Sequence, residues 1–262
     1  MYTAGIDIGS RGAKGVILGD DGITTSFVGE TGPDSPGTAV MVFENMSKQS
    51  GLVLGDMSYV VATGYGRINV PFANDNVSEI SCHAKGAHWY FPNVRTILDM
   101  GGQDCKAINV NDKGVVTKFI MNDKCAGGTG RFMEIIAGVL GIPLQEVGPT
   151  SLRSEQNVPF STVCAIFAKS EAMGMLKKGV PKADILAGLH EAIAMRCYNL
   201  LRRVNIEQEF TITGGIAKNV GMVSKIELKM GMTPVLAPDP QIIGALGAAI
   251  FARERYLAKQ GG

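Results

Sequence analysis

The chain has 262 residues, of which 45% are hydrophobic and 19% charged, and its formal net charge is +1 at pH 7. This composition is typical of a globular chain with a substantial core, and the near-neutral charge argues against a nucleic-acid binder. The longest apolar stretch, "IIGALGAAIFA" at 242–252, is too short to span a bilayer, so we expect no membrane anchor.

The N-terminal segment and the cysteines predict the compartment. "MYTAGIDIGS" has no basic segment followed by an apolar one, so we predict no signal peptide. The chain has 5 cysteines, and this odd number favours free or metal-bound thiols in a reducing environment. We therefore predict a cytoplasmic protein.

Strand-like and helix-like apolar periodicities alternate along the chain, which predicts an α/β fold. In chain order, the first half reads as a β-hairpin (5–17), a helix (37–49), a strand (59–64), a helix (77–89) and a second hairpin at "LDMGGQD". The second half reads as a strand (114–120), helices at 129–140, from 161 and over 181–204, a strand (210–215), a helix after Gly215, the short strand "PVLA" and a final helix (242–257).

The two hairpins repeat one pattern. When Asp7 in "GIDIGSRGAKGVI" is placed on Asp99 in "LDMGGQDCKAINV", glycines coincide in the turn and Lys14 meets Lys106 without a gap. Two unrelated hairpins are the alternative, but the shared Asp, Gly and Lys at one register favour an internal duplication.

The turn of the first hairpin has the residue types of a phosphate site. Its residues are Gly9, Ser10, Arg11 and Gly12. Glycines let backbone amides point at an anion with no side chain in the way, Ser10 adds a hydroxyl donor, and Lys14 adds a positive charge. Asp7, at the end of the preceding strand, would hold Mg²⁺ through water.

Two further glycine turns follow strands. The second hairpin repeats the arrangement with Asp99, Gly101, Gly102, Gln103 and Asp104. There, either Gln103 or Asp104 would orient a water for attack on a terminal phosphate. Gly214 and Gly215 follow a strand and open a helix, a place suited to the ribose, base or α-phosphate of a nucleotide.

In order, "GIDIGS", "LDMGGQD", "TGGIAKN" and "IIGALGAAIF" resemble the phosphate-1, phosphate-2, adenosine and connecting motifs of the actin, Hsp70 and sugar-kinase superfamily. The resemblance implies a two-lobed α/β ATPase fold with duplicated hairpin-led subdomains that binds ATP between the lobes. The expected lobes are 1–95 and 96–262, with the final helix packing back on the N-terminal lobe. Lys218, in the third motif, joins the candidate nucleotide contacts.

Two cysteines stand at predicted helix starts. Cys125 precedes "AGGTG", and Cys164 follows "STV", so each thiol lies where the helix dipole favours a thiolate. A [4Fe–4S] cluster normally takes four cysteines, and two chains about a twofold axis would supply four. From the residues alone, inert cysteines remain the alternative.

A second, closer resemblance covers essentially the whole chain. "GIDIGSRGAKG", "ATGYGR", "LDMGGQD", "NDKCAGGTGRF", "STVCAIFAKSE" and "TGGIAKN" resemble the ATP-dependent activator of 2-hydroxyacyl-CoA dehydratases, a family that includes the ATP-hydrolysing subunits of benzoyl-CoA reductase. The resemblance implies that Cys125 and Cys164 bind a [4Fe–4S] cluster bridging a homodimer. Gly128 and Thr129 would approach the nucleotide as well.

The same resemblance implies the activity. Reduced ferredoxin or flavodoxin would load one electron, and ATP hydrolysis would change the angle between the cluster-bearing helices and pass the electron to a dehydratase. An ATPase subunit of an aromatic acyl-CoA reductase is the nearest alternative. A small-molecule kinase such as an amino-sugar kinase, which would need an Asp base and no cluster, and a redox-free assembly ATPase are more distant ones.

The remaining cysteines and histidines have structural interpretations. Cys197 falls on an apolar stripe of the 181–204 helix, so we predict a core residue, and we expect Cys105 to pack within its hairpin. Cys82 lies beside His83, but we favour a packed or solvated helix over a metal site. His190, beside a glutamate, is predicted to lie on the surface.

Overall fold

The computed structural model describes residues 1–122, 130–156, 158–160 and 165–261. The chain forms two compact units. The first comprises Met1–Arg95, Val110–Thr117 and Ala237–Gly262, and the second comprises Thr96–Asn109 and Lys118–Leu236. The first segment ends at Arg95, and the final helix is grouped with the first unit.

The first unit is built on a five-stranded sheet with the strand order β3-β2-β1-β4-β5. Its strands and helices are β1 (Tyr2–Ile8), β2 (Gly12–Gly19), β3 (Gly22–Glu30), α1 (Ser35–Ser50), β4 (Met57–Thr63), β5 (Asp75–Asn76), α2 (Glu79–Tyr90) and, from the end of the chain, α8 (Ile243–Gln260). β1 and β2 form the predicted antiparallel hairpin, and β1 pairs in parallel with β4.

The alternation of side chains along β1 assigns one face of this sheet to each of two helices. Ala4, Ile6 and Ile8 belong to a buried cluster with residues of α1. On the other face, Thr3 Oγ1 donates to the carbonyl of Ala249 in α8 at 3.1 Å. A Cβ on Gly5 would overlap the backbone of α8, so this helix lies directly on the strand.

The second unit has a four-stranded sheet with the order β8-β7-β6-β9. Its elements are β6 (Thr96–Met100), β7 (Cys105–Val110), β8 (Val116–Asn122), α3 (Gly130–Leu140), α4 (Val147–Ser151), α5 (Ala165–Lys177), α6 (Lys182–Leu201), β9 (Phe210–Thr213) and α7 (Val220–Met230). β6 is antiparallel to β7 and parallel to β9. This order repeats β3-β2-β1-β4 of the first unit, which confirms the predicted duplication and the α/β fold class.

Local signals account for both ends of α1. Asp34 caps α1 by accepting from the amide of Gly37, and Gly51 ends that helix with φ +75°, the left-handed conformation that glycine adopts most easily. The bounds predicted for α1 agree within two residues, whereas β3, α4 and the two-residue β5 were not predicted. Among the described residues, no helix combines the length and apolarity that a membrane crossing requires.

Candidate functional site

The first hairpin turn is closed by a hydrogen bond from the amide of Gly9 to the carbonyl of Gly12 at 3.1 Å. A Cβ on Gly9 would lie 2.8 Å from that carbonyl oxygen, so the turn requires glycine there. Asp7 and Lys14 are directly paired across the two strands, and Lys14 Nζ lies 3.1 Å from Asp7 Oδ2. A carboxylate and an ammonium group therefore flank a turn whose tip, Arg11, is exposed.

The second hairpin turn has the same construction. The amide of Gly101 donates to the carbonyl of Asp104 at 3.0 Å, and Asp99 pairs with Lys106 across the strands, as the alignment of the two hairpins predicted. Lys106 Nζ lies 3.4 Å from Asp99 Oδ2 and 2.6 Å from Asp104 Oδ2. Of the two residues expected to orient water, Gln103 is exposed and Asp104 is buried.

The third glycine turn is joined to the second hairpin. Because β9 is parallel to β6, Thr213 lies beside Asp99 and donates its hydroxyl to Asp99 Oδ1 at 3.0 Å. Gly214 follows with φ +87°, and a Cβ there would overlap the carbonyl of Met100. Gly215 and Lys218 bound a short 3₁₀ helix and are both exposed.

The counterpart of this turn in the first unit was not predicted from the sequence. Gly64 follows β4 with φ +85°, and a Cβ there would overlap Oδ1 of Asp7. Thr63 pairs with Asp7 as Thr213 pairs with Asp99. The signal was present in the sequence, since both strands end in Thr-Gly, at "ATG" and "ITG". Each unit therefore holds its aspartate between a hairpin lysine and a Thr-Gly strand end.

Four of the predicted site residues, Gly128, Thr129, Cys125 and Cys164, lie outside the described residues. The helices that follow the two cysteines, α3 and α5, pack against each other. The first amides of α3 are bound by the second turn: Gly130 N donates to Gly101 O at 3.0 Å, and Arg131 N donates to Gly102 O at 2.9 Å. The helix that begins shortly after Cys125 is thus hydrogen-bonded directly to the second glycine turn.

The other cysteines lie in the core, as predicted for Cys197 and Cys105. Cys105 and Cys197 are buried with their sulfurs 3.8 Å apart, and the hydrogen bond between them together with burial raises the pKa of Cys105 well above its ordinary value. Burial raises the pKa of Cys82 to about 12. High pKa values keep the thiols of Cys105 and Cys82 protonated and poorly reactive. The described residues hold no group of three or more potential metal ligands.

The surface prediction for His190 was wrong. Its side chain is fully buried on α6, with Nε2 3.2 Å from Nδ2 of Asn219, the residue that caps α7. Burial, with a smaller contribution from Lys225, lowers the pKa of His190 to about 3. His190 is therefore a neutral residue that supports the segment following Gly214.

Two sheets of one topology, each with an Asp-Gly-Lys hairpin and a Thr-Gly strand end, give the chain the fold of the actin, Hsp70 and sugar-kinase class. Within that class, the chain belongs to the BadF/BadG/BcrA/BcrD ATPase family, whose model matches residues 4–252.

Individual relatives match over nearly their whole length. The activator of lactoyl-CoA dehydratase from Anaerotignum propionicum is 44% identical over 97% of this chain and 98% of its own. A benzoyl-CoA reductase subunit from Thauera aromatica is 31% identical over 97% of this chain and 94% of its own. Among solved structures, the activator of the 2-hydroxyisocaproyl-CoA dehydratase from Clostridium difficile with bound ADPNP superimposes with a TM-score of 0.96 at 37% identity, covering 100% of this chain and 97% of that one.

Proposed function

We propose that this protein is an ATP-dependent activator that delivers a low-potential electron to a 2-hydroxyacyl-CoA dehydratase from a [4Fe–4S] cluster shared by two copies of the chain. Support comes from family membership and from relatives named as dehydratase activators. The observation that carries the proposal is the pair of hydrogen bonds from Gly130 and Arg131 to the second glycine turn. They join a phosphate-binding element to the helix that follows Cys125.

In this proposal the glycine turns bind the phosphates of ATP. Backbone amides of the two hairpin turns and the hydroxyl of Ser10 would donate to phosphate oxygens, and Lys14 would supply positive charge. The candidate contacts at the third turn are Gly214, Gly215 and Lys218. The carboxylates of Asp7 and Asp99, at corresponding strand ends, suit Mg²⁺, which prefers carboxylate and water oxygens. Gln103, exposed at the second turn, would orient the attacking water.

Cys125 and Cys164 would hold the cluster. Each cysteine precedes a helix, and the two helices, α3 and α5, pack against each other, which supports convergence of the two thiols. Two thiols per chain are half of the usual four, and the described residues hold no further group of metal ligands. A second copy of the chain would therefore complete the site. When bound, a [4Fe–4S] cluster supplies a one-electron carrier, which ferredoxin or flavodoxin would reduce.

The second candidate is an ATPase subunit of an aromatic acyl-CoA reductase. It is favoured by the 31% identity to a subunit of benzoyl-CoA reductase. The higher identity of 44% to a dehydratase activator supports the first candidate. Mixing the purified protein with each type of partner enzyme, in the presence of ATP and a reductant, would separate the two: stimulation of an aromatic reductase alone would overturn the activator assignment.

Iron content tests the cluster directly. Anaerobically purified protein should contain about two iron atoms per chain, which is one four-iron cluster for two chains, with broad visible absorption. Cys125→Ser and Cys164→Ser should each lose the iron. Cys197→Ser is the matched control, because its thiol is buried in the core and pairs only with Cys105 among the contacts described; it should retain iron. Full iron content in either site variant would exclude that cysteine as a ligand.

A further inference from the structure

The two hairpins differ in one residue that changes the surroundings of the lysine. In the register that pairs Asp7 with Lys14 and Asp99 with Lys106, Gly12 of the first turn corresponds to Asp104 of the second. Lys14 therefore has one carboxylate neighbour within its own hairpin, whereas Lys106 has two. This duplication provides an internal comparison within one chain.

The additional carboxylate coincides with deeper burial of the ammonium group. The side chain of Lys14 is 17% exposed and pairs with Asp7 at 3.1 Å. The side chain of Lys106 is 3% exposed and pairs with Asp104 at 2.6 Å and with Asp99 at 3.4 Å. A buried ammonium group held between two carboxylates is strongly coupled to them, and it is poorly placed to reach a phosphate.

Asp104 is fixed at both its backbone and its side chain. Its carbonyl accepts from the amide of Gly101 and closes the turn, while its carboxylate, 5% exposed, pairs with Lys106. A group that orients water must lie within hydrogen-bond reach of that water, whereas this carboxylate is directed into the protein. The pair therefore determines the shape of the turn whose carbonyls, at Gly101 and Gly102, bind the start of α3.

We propose that Asp104 and Lys106 form a buried positioning pair that holds the second turn in its phosphate-binding shape, and that Asp104 does not act on the attacking water. This inference rests on the proposed ATPase function. It assigns the two equivalent lysines different roles: Lys14 binds the phosphates of ATP, and Lys106 holds the backbone of the second turn in place.

Steady-state ATP hydrolysis separates positioning from catalysis. Asp104→Asn keeps the side-chain shape and an oxygen that can accept from Lys106, but it weakens the pair. We expect the KM for ATP to rise about 10-fold and kcat to fall much less, because a looser turn binds phosphate less well. A loss of kcat of about 10²-fold or more with an unchanged KM, typical of a lost general base, would overturn the inference.

A double-mutant cycle tests the pairing itself. Lys106→Met should weaken binding of a non-hydrolysable ATP analogue by about 10-fold in calorimetry, because the pair is broken and Asp99 and Asp104 are left facing each other. Adding Asp104→Asn should cause no further loss of affinity, because the pair is already broken and the repulsion is removed. A further loss of about 10-fold in a double variant whose circular dichroism matches wild type would contradict the positioning pair.

Introducing a second carboxylate beside Lys14 in the first hairpin provides the reverse test. A Cβ on Gly12 would lie 3.6 Å from Lys14 Cε, with no closer neighbour, so Gly12→Asp can be accommodated beside the lysine. We expect this variant to bind the ATP analogue about 10-fold more weakly, because Lys14 is drawn into a second pair. Unchanged affinity would refute the different roles of the two lysines. If wild-type protein neither binds nor hydrolyses ATP, the proposed function fails instead.

Discussion

At the scale of single residues, His190 shows how the fold fixes a protonation state. The Oδ1 of Asn219 accepts from the amide of Met222 to cap α7, so the amide nitrogen of Asn219 faces the imidazole. Nε2 of His190 is then the acceptor, and the proton of the neutral ring lies on Nδ1. Burial lowers the pKa of His190 to about 3, which keeps this arrangement intact at neutral pH.

The depressed pKa of His190 predicts a loss of stability in mild acid. Below the unfolded pKa of 6.5, the unfolded chain takes up a proton that the folded protein excludes down to about pH 3. The free energy of unfolding should therefore fall as the pH drops from about 6.5, by about 2 kcal/mol between pH 7 and pH 5 from this residue. Urea unfolding at the two pH values measures the change.

His190→Asn is the control for this pH dependence, because asparagine can accept from Asn219 but does not titrate. The variant is expected to be less stable at both pH values, yet its stability should change less between them. An equal pH dependence in wild type and variant would show that other groups carry the effect.

At the scale of secondary-structure elements, glycines set the distance between α2 and α8. A Cβ on Gly86 of α2 would overlap the carbonyl of Ile243, and a Cβ on Gly247 of α8 would overlap the carbonyl of Cys82. The two backbones are therefore in direct contact. A Cβ on Gly244 would lie 2.9 Å from His83 Nε2 and 3.2 Å from Asp7 Oδ2, so this close packing also brings α2 and α8 to the aspartate of the first turn.

Gly247→Ala should destabilise the protein by about 1–3 kcal/mol, because the added methyl group forces the two helices apart. Gly138→Ala is the matched control: Gly138 lies within α3, and a Cβ there meets nothing within 4 Å. That change should stabilise the helix by about 0.5–1 kcal/mol through reduced backbone freedom. Urea denaturation of both variants provides the comparison, and equal midpoints would refute the close-packing argument.

The sequence predicted these elements unevenly, for physical reasons. The hairpins and long helices were predicted because strand alternation and helical periodicity are local signals. β3 was missed because no residue of "GITTSFVGE" is fully buried. The segment therefore lacks a clear alternation of apolar and polar residues. His190 was misplaced because its burial comes from α7 packing on α6, which the periodicity of one helix does not reveal. Gly64 was overlooked because its role depends on its neighbour Asp7.

At the scale of the whole molecule, the proposed cluster predicts the oligomeric state. If Cys125 and Cys164 supply half of its ligands, light scattering of anaerobic, iron-loaded protein should give the mass of two chains. Removal of iron by a chelator should shift the distribution towards single chains, because the shared ligation is lost. Cys164→Ser should behave like chelated protein. A single chain that retains a complete four-iron cluster would contradict the shared site.

The first unit is built from three separate segments of the chain, so it cannot be completed until α8 has been translated. The second unit is encoded almost without interruption, so it can form while the ribosome is still translating residues beyond 236. By contrast, β1 emerges first but must wait for α8, whose backbone lies directly on Gly5. At about 5–20 residues per second, the α8-facing side of that sheet stays uncovered for roughly ten seconds or more. Until α8 is translated, nascent chains therefore expose this face of the sheet to chaperones and to aggregation.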